Sequence, residues 1–116
     1  MVRASLIGAP TDVGAADRGA SMGPEALRVA GLTDALRARE LEVVDLGNLG
    51  GPGNPWQPPQ GGYRHLPEVV RWNELVYESV YREVQQGRLP ILLAAVPCDG
   101  TDRPDAQAMI APEQYR

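Results

Sequence analysis

Lysine and phenylalanine are absent from the 116-residue chain, which contains one cysteine and one histidine. A single cysteine excludes an internal disulfide framework and cannot supply the ligand spacing of a zinc finger. One histidine, His65, excludes a multi-histidine metal centre built from one chain. A serine–histidine–aspartate triad would have to use this same residue.

Long apolar runs and an excess of positive charge are also missing. No stretch approaches the roughly 18 apolar residues of a transmembrane helix, and the N-terminal apolar run is too short for a signal-peptide core. All 11 basic residues are arginine, against 15 acidic residues, so the net charge is −4. This balance argues against nucleic acid as a partner. We expect a soluble cytoplasmic protein that does not enter membranes.

The predicted secondary-structure elements alternate between strands and helices. Short apolar runs predict strands over residues 4–9, 41–46 and 89–96, the last buried on both faces. Helical spacing covers residues 21–36, with an interruption at Gly31 and with Thr33 or Asp34 as the expected cap of the second piece. This order predicts an α/β fold with a parallel sheet and helices on its faces.

The clearest helix is predicted over residues 66–86. Pro67 suits its first turn, and Gly87 suits its C-terminal end. Its apolar stripe, which is expected to face the sheet, consists of Trp72, Leu75, Val76, Ser79, Val80 and Val84. Trp72 is therefore interpreted as a core residue, with Tyr77 on or near the same stripe.

Ligands of parallel α/β sheets bind beyond the carboxyl ends of the strands. Here those ends lead into residues 10–23, into the Gly/Pro-rich loop 47–62, and into residues from 96 onward. Asp12, Asp17 and Arg18 on the first loop are the candidate substrate contacts. The alternative for these three residues is turn chemistry and a solvated rim.

Other polar residues favour structural interpretations. The first loop lacks the G-x-G-x-x-G and G-x-x-x-x-G-K patterns of nucleotide sites. A general base at His65 would need an orienting acid, so a surface histidine is favoured. Cys98 is interpreted as incidental, because neighbouring Asp99 disfavours a thiolate. The acidic residues of the tail, interpreted as solvated rather than as a Ca²⁺ or Mg²⁺ site, are Asp99, Asp102, Asp105 and Glu113.

Several short motifs resemble one family. They are IGAP at 7–10, the glycine spacing of Gly14 and Gly19, MGPEALR at 22–28 followed by AGL at 30–32, DLG at 45–47 and VQQGRLPILL at 84–93. Together they resemble the N-terminal portion of the ureohydrolase family, closest to arginase, over about residues 4–95. Agmatinases share parts of the pattern, while GPEALR followed by AGL favours arginase.

The resemblance implies a three-layer α/β/α fold of which this chain holds an incomplete part, and an oligomer. It also implies a centre of two manganese ions that hydrolyses L-arginine to ornithine and urea. In such a centre, a metal-bridging water loses its proton near neutral pH and attacks the guanidinium carbon.

The sequence departs from the family where its first metal motif, Gly-Gly-Asp-His, is expected. Ala94, Ala95, Val96 and Pro97 stand at these positions, so proline replaces the ligand histidine. The later motifs Asp-x-His-x-Asp and Ser-x-Asp-x-Asp do not occur in the sequence. No residue is therefore carried over as a catalytic residue or as a manganese ligand, and the chain is expected to bind no cofactor.

We therefore divide the chain into a family-like part, residues 1–95, and an irregular tail, residues 96–116, which is expected to pack poorly. A reading-frame shift after Leu93 would leave this pattern, and it predicts an Asp-x-His-x-Asp motif in another frame of the downstream DNA. We expect a truncated arginase-like protein that is inactive by itself. Its open sheet edge and uncovered apolar surface predict marginal stability and aggregation. The alternative is a non-catalytic module that associates with intact ureohydrolase subunits or with itself.

Overall fold

The structure is a computed structural model that describes residues 2–14 and 19–94. Within these ranges the chain forms three strands and three α-helices in the predicted alternation. Their bounds are β1 Arg3–Gly8, α1 Gly23–Val29, α2 Leu32–Arg37, β2 Glu42–Asn48, α3 Leu66–Gln85 and β3 Leu89–Leu93, with a short 3-10 turn at Ala20–Met22.

The three strands form one parallel sheet in the order β2-β1-β3. The pairing of β1 with β2 is regular from Arg3 to Leu6 and shifts before Gly8, which pairs with Asn48. The predicted parallel α/β architecture is therefore confirmed. Because β1 is the central strand, both of its edges are satisfied by neighbours.

Both faces of β1 are buried, and side chains alternate between two helical layers. Ala4 and Leu6 form one core cluster with Val43 and Leu93, against which Leu32 and Leu36 of α2 pack. Ser5, on the opposite face, is completely buried and contacts α3. The sheet thus lies between α1 and α2 on one side and α3 on the other.

The junction between α1 and α2 confirms the predicted interruption at Gly31 but not its predicted cap. Gly31 itself is the N-cap of α2, with a φ of 93°, and no side chain caps this end. The expectation of a cap at Thr33 or Asp34 is wrong, because the chain turns through a left-handed conformation that favours glycine over any side chain. Pro24 lies in the first turn of α1 as expected.

The helix α3 begins at the predicted residue, and Gly87 follows its end with a φ of 75°. Trp72 and Ser79 are buried as predicted, and Leu75, Val76 and Val80 are half-buried. Val84 was expected on the same face and Tyr77 on or near it, but both are exposed, and Glu83 beside Val84 is buried instead. The last turn therefore presents the Glu83 carboxylate to the sheet, where Ser5 donates a hydrogen bond to it.

The strand β3 does not show the burial on both faces that its sequence predicts. Leu89 and Leu92 are exposed, and only Leu93 is fully buried. Within the described residues, β3 pairs with β1 alone, so nothing covers its second edge. Pro90 lies near the start of the strand as expected.

The predictions for the tail, including those for Cys98 and the acidic residues beyond it, lie outside the described residues. Across the part that the structure describes, no helix combines the length and the hydropathy needed to cross a membrane.

Candidate functional site

The carboxyl ends of the three strands meet at one edge of the sheet, as the parallel topology predicts. Past β1, the backbone N–H of Ala9 donates to the carbonyl of Leu93 at 2.9 Å. The N–H of Leu49, just past β2, donates to the carbonyl of Gly8 at 2.8 Å. All three strand ends are therefore held together at the edge where ligands of α/β sheets bind.

Asp12 lies at this edge, half-buried, and its backbone carbonyl accepts a hydrogen bond from the Asn54 side chain at 3.1 Å. This bond joins the loop after β1 to the loop after β2. Asp17 and Arg18 lie outside the described residues. The structure therefore places one of the three candidate substrate residues at the expected edge and leaves the grouping of all three as a prediction.

The Gly/Pro-rich loop 47–62 is anchored on α3 by Trp72. The indole Nε1 donates to the carbonyl of Pro52 at 2.8 Å. Gly51 lies so close to the indole that a side chain there would overlap the ring. Sequence reasoning predicted burial of Trp72 but missed this anchor. The signal that could have found it is the Gly50-Gly51-Pro52-Gly53 run, where glycine permits close backbone approach.

An apolar cleft of about 210 Å³ opens beside this anchor, between α3 and the ends of β1 and β3. Trp72 and Val76 line one wall, and Leu92 and Ala94 line the other. Thr11 and Asn73 contribute its polar side chains. The cleft suits an apolar side chain, because a charged guanidinium would find no carboxylate among the residues that line it.

Arg28 joins two of the motifs that carry the family resemblance. Its Nε and Nη2 atoms donate to the two carboxylate oxygens of Asp45, at 2.9 and 3.0 Å. Nη1 donates to Glu25 at 2.8 Å and also to the Asn48 side chain. The hydrogen bond from Arg28 lowers the pKa of Asp45. The arginine of MGPEALR and the aspartate of DLG therefore form one clamp that ties α1 to β2.

Glu83 forms a second, more deeply buried polar group on the other face of the sheet. Its carboxylate accepts a hydrogen bond from Ser5 Oγ at 2.7 Å and two from Arg88 Nη1 at 3.1 and 3.2 Å. The Ser5 hydrogen bond is the largest cause that lowers the pKa of Glu83, outweighing the effect of burial. The group anchors the C-terminal end of α3 to β1, and sequence reasoning missed it.

His65 contradicts its prediction as a surface residue, because its side chain is only 8% exposed. It is the N-cap of α3 with a left-handed φ of 58°, and its Nε2 atom is buried without a hydrogen-bond partner. The turn into α3 carries the ring inward. The ring lines a cleft of about 280 Å³ together with Gln57, Tyr63 and Glu68.

The residues that the structure describes do not fit a two-manganese centre. Within residues 2–14 and 19–94, no three or more His, Cys, Asp or Glu side chains come together where a metal could bind. Ala94 follows β3 directly, where the family resemblance places the first metal motif. Asp45, near the end of β2, is already occupied by Arg28.

The sequence model of the arginase family matches residues 2–95. The arginase of Brucella suis biovar 1 is 39% identical over 89 residues, which are 76% of this chain and 29% of that protein. The arginase of Bacillus caldovelox is 35% identical over 91 residues, 77% of this chain and 30% of that protein. The chain therefore spans about three-tenths of the length of these relatives.

Solved structures give the same correspondence. The native structure of the Bacillus caldovelox arginase superposes with a TM-score of 0.72 at 35% identity, covering 79% of this chain and 31% of that one. The Bacillus cereus arginase superposes with a TM-score of 0.67 at 28% identity, covering 78% and 29%. The described elements therefore reproduce one part of a larger α/β fold.

Proposed function

Because the chain belongs to the arginase family, we propose that its family-like part is the N-terminal scaffold of a ureohydrolase domain and that the chain alone does not hydrolyse arginine. The family's reaction is the hydrolysis of L-arginine to ornithine and urea. This chain would supply the parallel strands and two anchored loops of such a domain without its metal ligands.

The observation that carries this proposal is the sequence that follows β3. Ala94 and Ala95, then Val96 and Pro97, stand where the family resemblance expects Gly-Gly-Asp-His. Manganese in proteins is bound by carboxylate, imidazole, carbonyl or water ligands. Alanine, valine and proline side chains offer none of these atoms. His65, the N-cap of α3, does not substitute, because within residues 2–14 and 19–94 no group of three or more His, Cys, Asp or Glu side chains surrounds it.

The hydrogen bonds that join the elements and loops of the chain support the scaffold role. Arg28 and Asp45 hold α1 on β2, and Trp72 holds the loop after β2 on α3. Asn54 then fixes this loop to the loop after β1. Each of these bonds positions the carboxyl edge of the sheet.

An assay of urea release tests the proposal directly. The purified full chain is incubated with Mn²⁺ and either arginine or agmatine, beside an intact arginase as a positive control. We expect no urea above the protein-free blank with either substrate. Turnover that co-purifies with the chain from an arginase-deficient host would overturn the proposal.

Calorimetric titration with Mn²⁺ tests the metal part separately from turnover. The wild-type chain is expected to show no saturable binding. A matched variant, Ala94→Gly/Ala95→Gly/Val96→Asp/Pro97→His, restores the first motif and is expected to gain weak binding through its new carboxylate and imidazole. Tight uptake by the wild type would contradict the proposal.

The unpaired edge of β3 favours a second candidate, a non-catalytic module that associates with intact ureohydrolase subunits. Exposed edge strands accept strands from other chains, and Leu92 beside the apolar cleft would be covered by such a partner. Co-expression with an intact arginase, followed by affinity purification through a tag on this chain, tests it. Recovery of the partner in stoichiometric amount is expected if this candidate is correct, and its absence removes the candidate.

A further inference from the structure

The helix α3 carries a second apolar stripe on the side that faces away from the sheet. Its members are Val70, Tyr77, Tyr81 and Val84, and all four are exposed. Their spacing of seven, four and three residues places them on one face of the helix. At 1.5 Å per residue, the stripe is about 21 Å long. It lies opposite Trp72, Ser79 and Glu83, the residues that bury α3 against the sheet.

Two tyrosines form the centre of this stripe. Tyr77 is 68% exposed and Tyr81 is 53% exposed. Their rings stack on each other, with centroids 5.9 Å apart and planes inclined by 11°. Pre-stacked aromatic rings with polar ends are favourable interface residues, because they bury a large area and lose little side-chain entropy on binding.

A row of charges runs along one flank of the stripe. Four charged residues line one side of α3 at spacings of three, four and four, namely Arg71, Glu74, Glu78 and Arg82, and Arg71 pairs with Glu74 at 3.4 Å. Arg71 and Glu74 precede the tyrosine pair, Glu78 lies between the two tyrosines, and Arg82 follows them. The other flank of the stripe, which carries Asn73 and Val80, has no acidic or basic residue.

This arrangement complements itself when two copies of the helix lie antiparallel. In an antiparallel pair the same flank of each helix meets, and charges beside the apolar seam select the orientation. Centred on the tyrosines, the pair brings Arg82 of each copy beside Glu74 and Glu78 of the other. The two Glu78 carboxylates also face each other across the two-fold axis, so four contacts of opposite charge stand against one of like charge. A parallel pair would place this charged row against the uncharged flank.

We propose that a second copy of this chain docks on the outer face of α3, forming an antiparallel dimer around a cluster of four tyrosines. The symmetry is two-fold, so each contact of the interface occurs twice. This surface is separate from the unpaired edge of β3 and from the carboxyl edge of the sheet.

Sedimentation equilibrium of the full chain, under reducing conditions, tests the dimer. We expect a reversible monomer–dimer equilibrium whose dissociation constant rises about tenfold or more in Tyr77→Ser/Tyr81→Ser. Tyr63→Ser, which removes an exposed tyrosine from the loop before α3, is the matched control and should leave the constant unchanged. A chain that stays monomeric at all concentrations would overturn the proposal.

Charge exchange distinguishes this dimer from association through the sheet edge. Arg82→Glu and Glu74→Arg/Glu78→Arg each place like charges together and should weaken self-association about tenfold. An equimolar mixture of the two variants restores both contacts, so it should form heterodimers as tightly as the wild type. Arg39→Glu, in the turn after α2, is the control for the charge change. Self-association that ignores these exchanges contradicts the proposal.

Circular dichroism of each variant confirms that the chain remains folded. Recovery on mixing also excludes a folding defect, because two unfolded chains would not restore each other.

Discussion

At Gly51, the main chain lies against the Trp72 indole, so adding one methyl group at this position should destabilise the fold. Gly51→Ala should lower the free energy of unfolding by about 1–3 kcal/mol, because the new Cβ overlaps the ring and the loop must move. Gly50→Ala is the matched control, since a Cβ there meets nothing within 4 Å. Denaturant unfolding followed by circular dichroism measures both. Equal stability of the two variants would show that the loop does not pack on Trp72.

The buried Glu83 carboxylate predicts how stability depends on pH. Its pKa is lowered from the ordinary value of 4.5, with the Ser5 hydrogen bond as the first cause. A folded-state pKa below the unfolded value stabilises the protein above the unfolded value, and this stability is lost as the pH falls through the folded value. Glu83→Gln should therefore cost about 1–2 kcal/mol at neutral pH.

The difference between wild type and Glu83→Gln should remain constant down to about pH 5 and shrink below it. Urea denaturation at a series of pH values measures this difference. Asp45, whose pKa is also lowered, is present in both proteins and cancels in the comparison. If the difference in stability between wild type and Glu83→Gln grew as the pH fell, it would contradict the hydrogen bonds of the Glu83 carboxylate to Ser5 and Arg88.

Residue by residue, backbone requirements were easier to predict than side-chain partners. Gly31 and Gly87 were found because a left-handed turn at a helix boundary favours glycine strongly. Burial of Glu83 instead of Val84 was missed, because a periodic pattern counts apolar residues and cannot foresee a carboxylate paired with Ser5 and Arg88. The inward position of His65 was missed for a similar reason, since it depends on the turn into α3.

Among the elements, the contact of α1 with β2 depends on Arg28. Arg28→Lys should lower the free energy of unfolding by about 1–2 kcal/mol, because one ammonium cannot reproduce the two parallel bonds to Asp45. Arg71→Lys, which alters an exposed pair with Glu74 at 3.4 Å, is the control and should change stability by less than about 0.5 kcal/mol. Thermal unfolding of the three proteins decides between these outcomes.

The order and type of the elements followed from the sequence, and their boundaries shifted by one or two residues at most strand ends. Alternating short apolar runs and longer helical stripes leave few arrangements other than a parallel sheet. The docking of loop 47–62 could not be predicted, because glycine and proline favour turns without specifying a partner. The position of the loop is set by the hydrogen bonds of Trp72 and Asn54. Each bond joins residues that are far apart in the sequence, and a periodic pattern of apolar residues does not reveal such contacts.

For the molecule as a whole, the outer edge of β3, like that of β2, is unpaired among the described residues and predicts aggregation. Leu89→Lys should reduce light scattering on warming, because a charge on an exposed edge strand opposes pairing with another chain. Val2→Lys is the matched control, since Val2 is 53% exposed and Leu89 is 52% exposed, and both variants change the net charge equally. If both variants reduced light scattering equally, the effect would come from the added charge and not from the edge of β3.

The candidate site was predictable only as a location. Parallel topology placed it at the carboxyl edge of the sheet, and Asp12 lies there. Which side chains face a ligand depends on the loops after the strands, and these follow local contacts such as the bond from Asn54 to Asp12. The replacement of the expected ligand histidine by Pro97 could be read from the sequence, because a proline side chain has no atom that binds a metal.

The bond from Trp72 to Pro52 gives the chain an optical reporter of its own. An indole enclosed by a loop and fixed by one carbonyl fluoresces at shorter wavelengths than an indole in water. The second tryptophan, Trp56, lies in loop 47–62 itself, so Trp56→Phe isolates the signal of Trp72. In that variant, release of loop 47–62 while the sheet stays intact would shift the emission of Trp72 before the helical signal falls. Spectroscopy without any attached label can thus separate detachment of one loop from collapse of the whole fold.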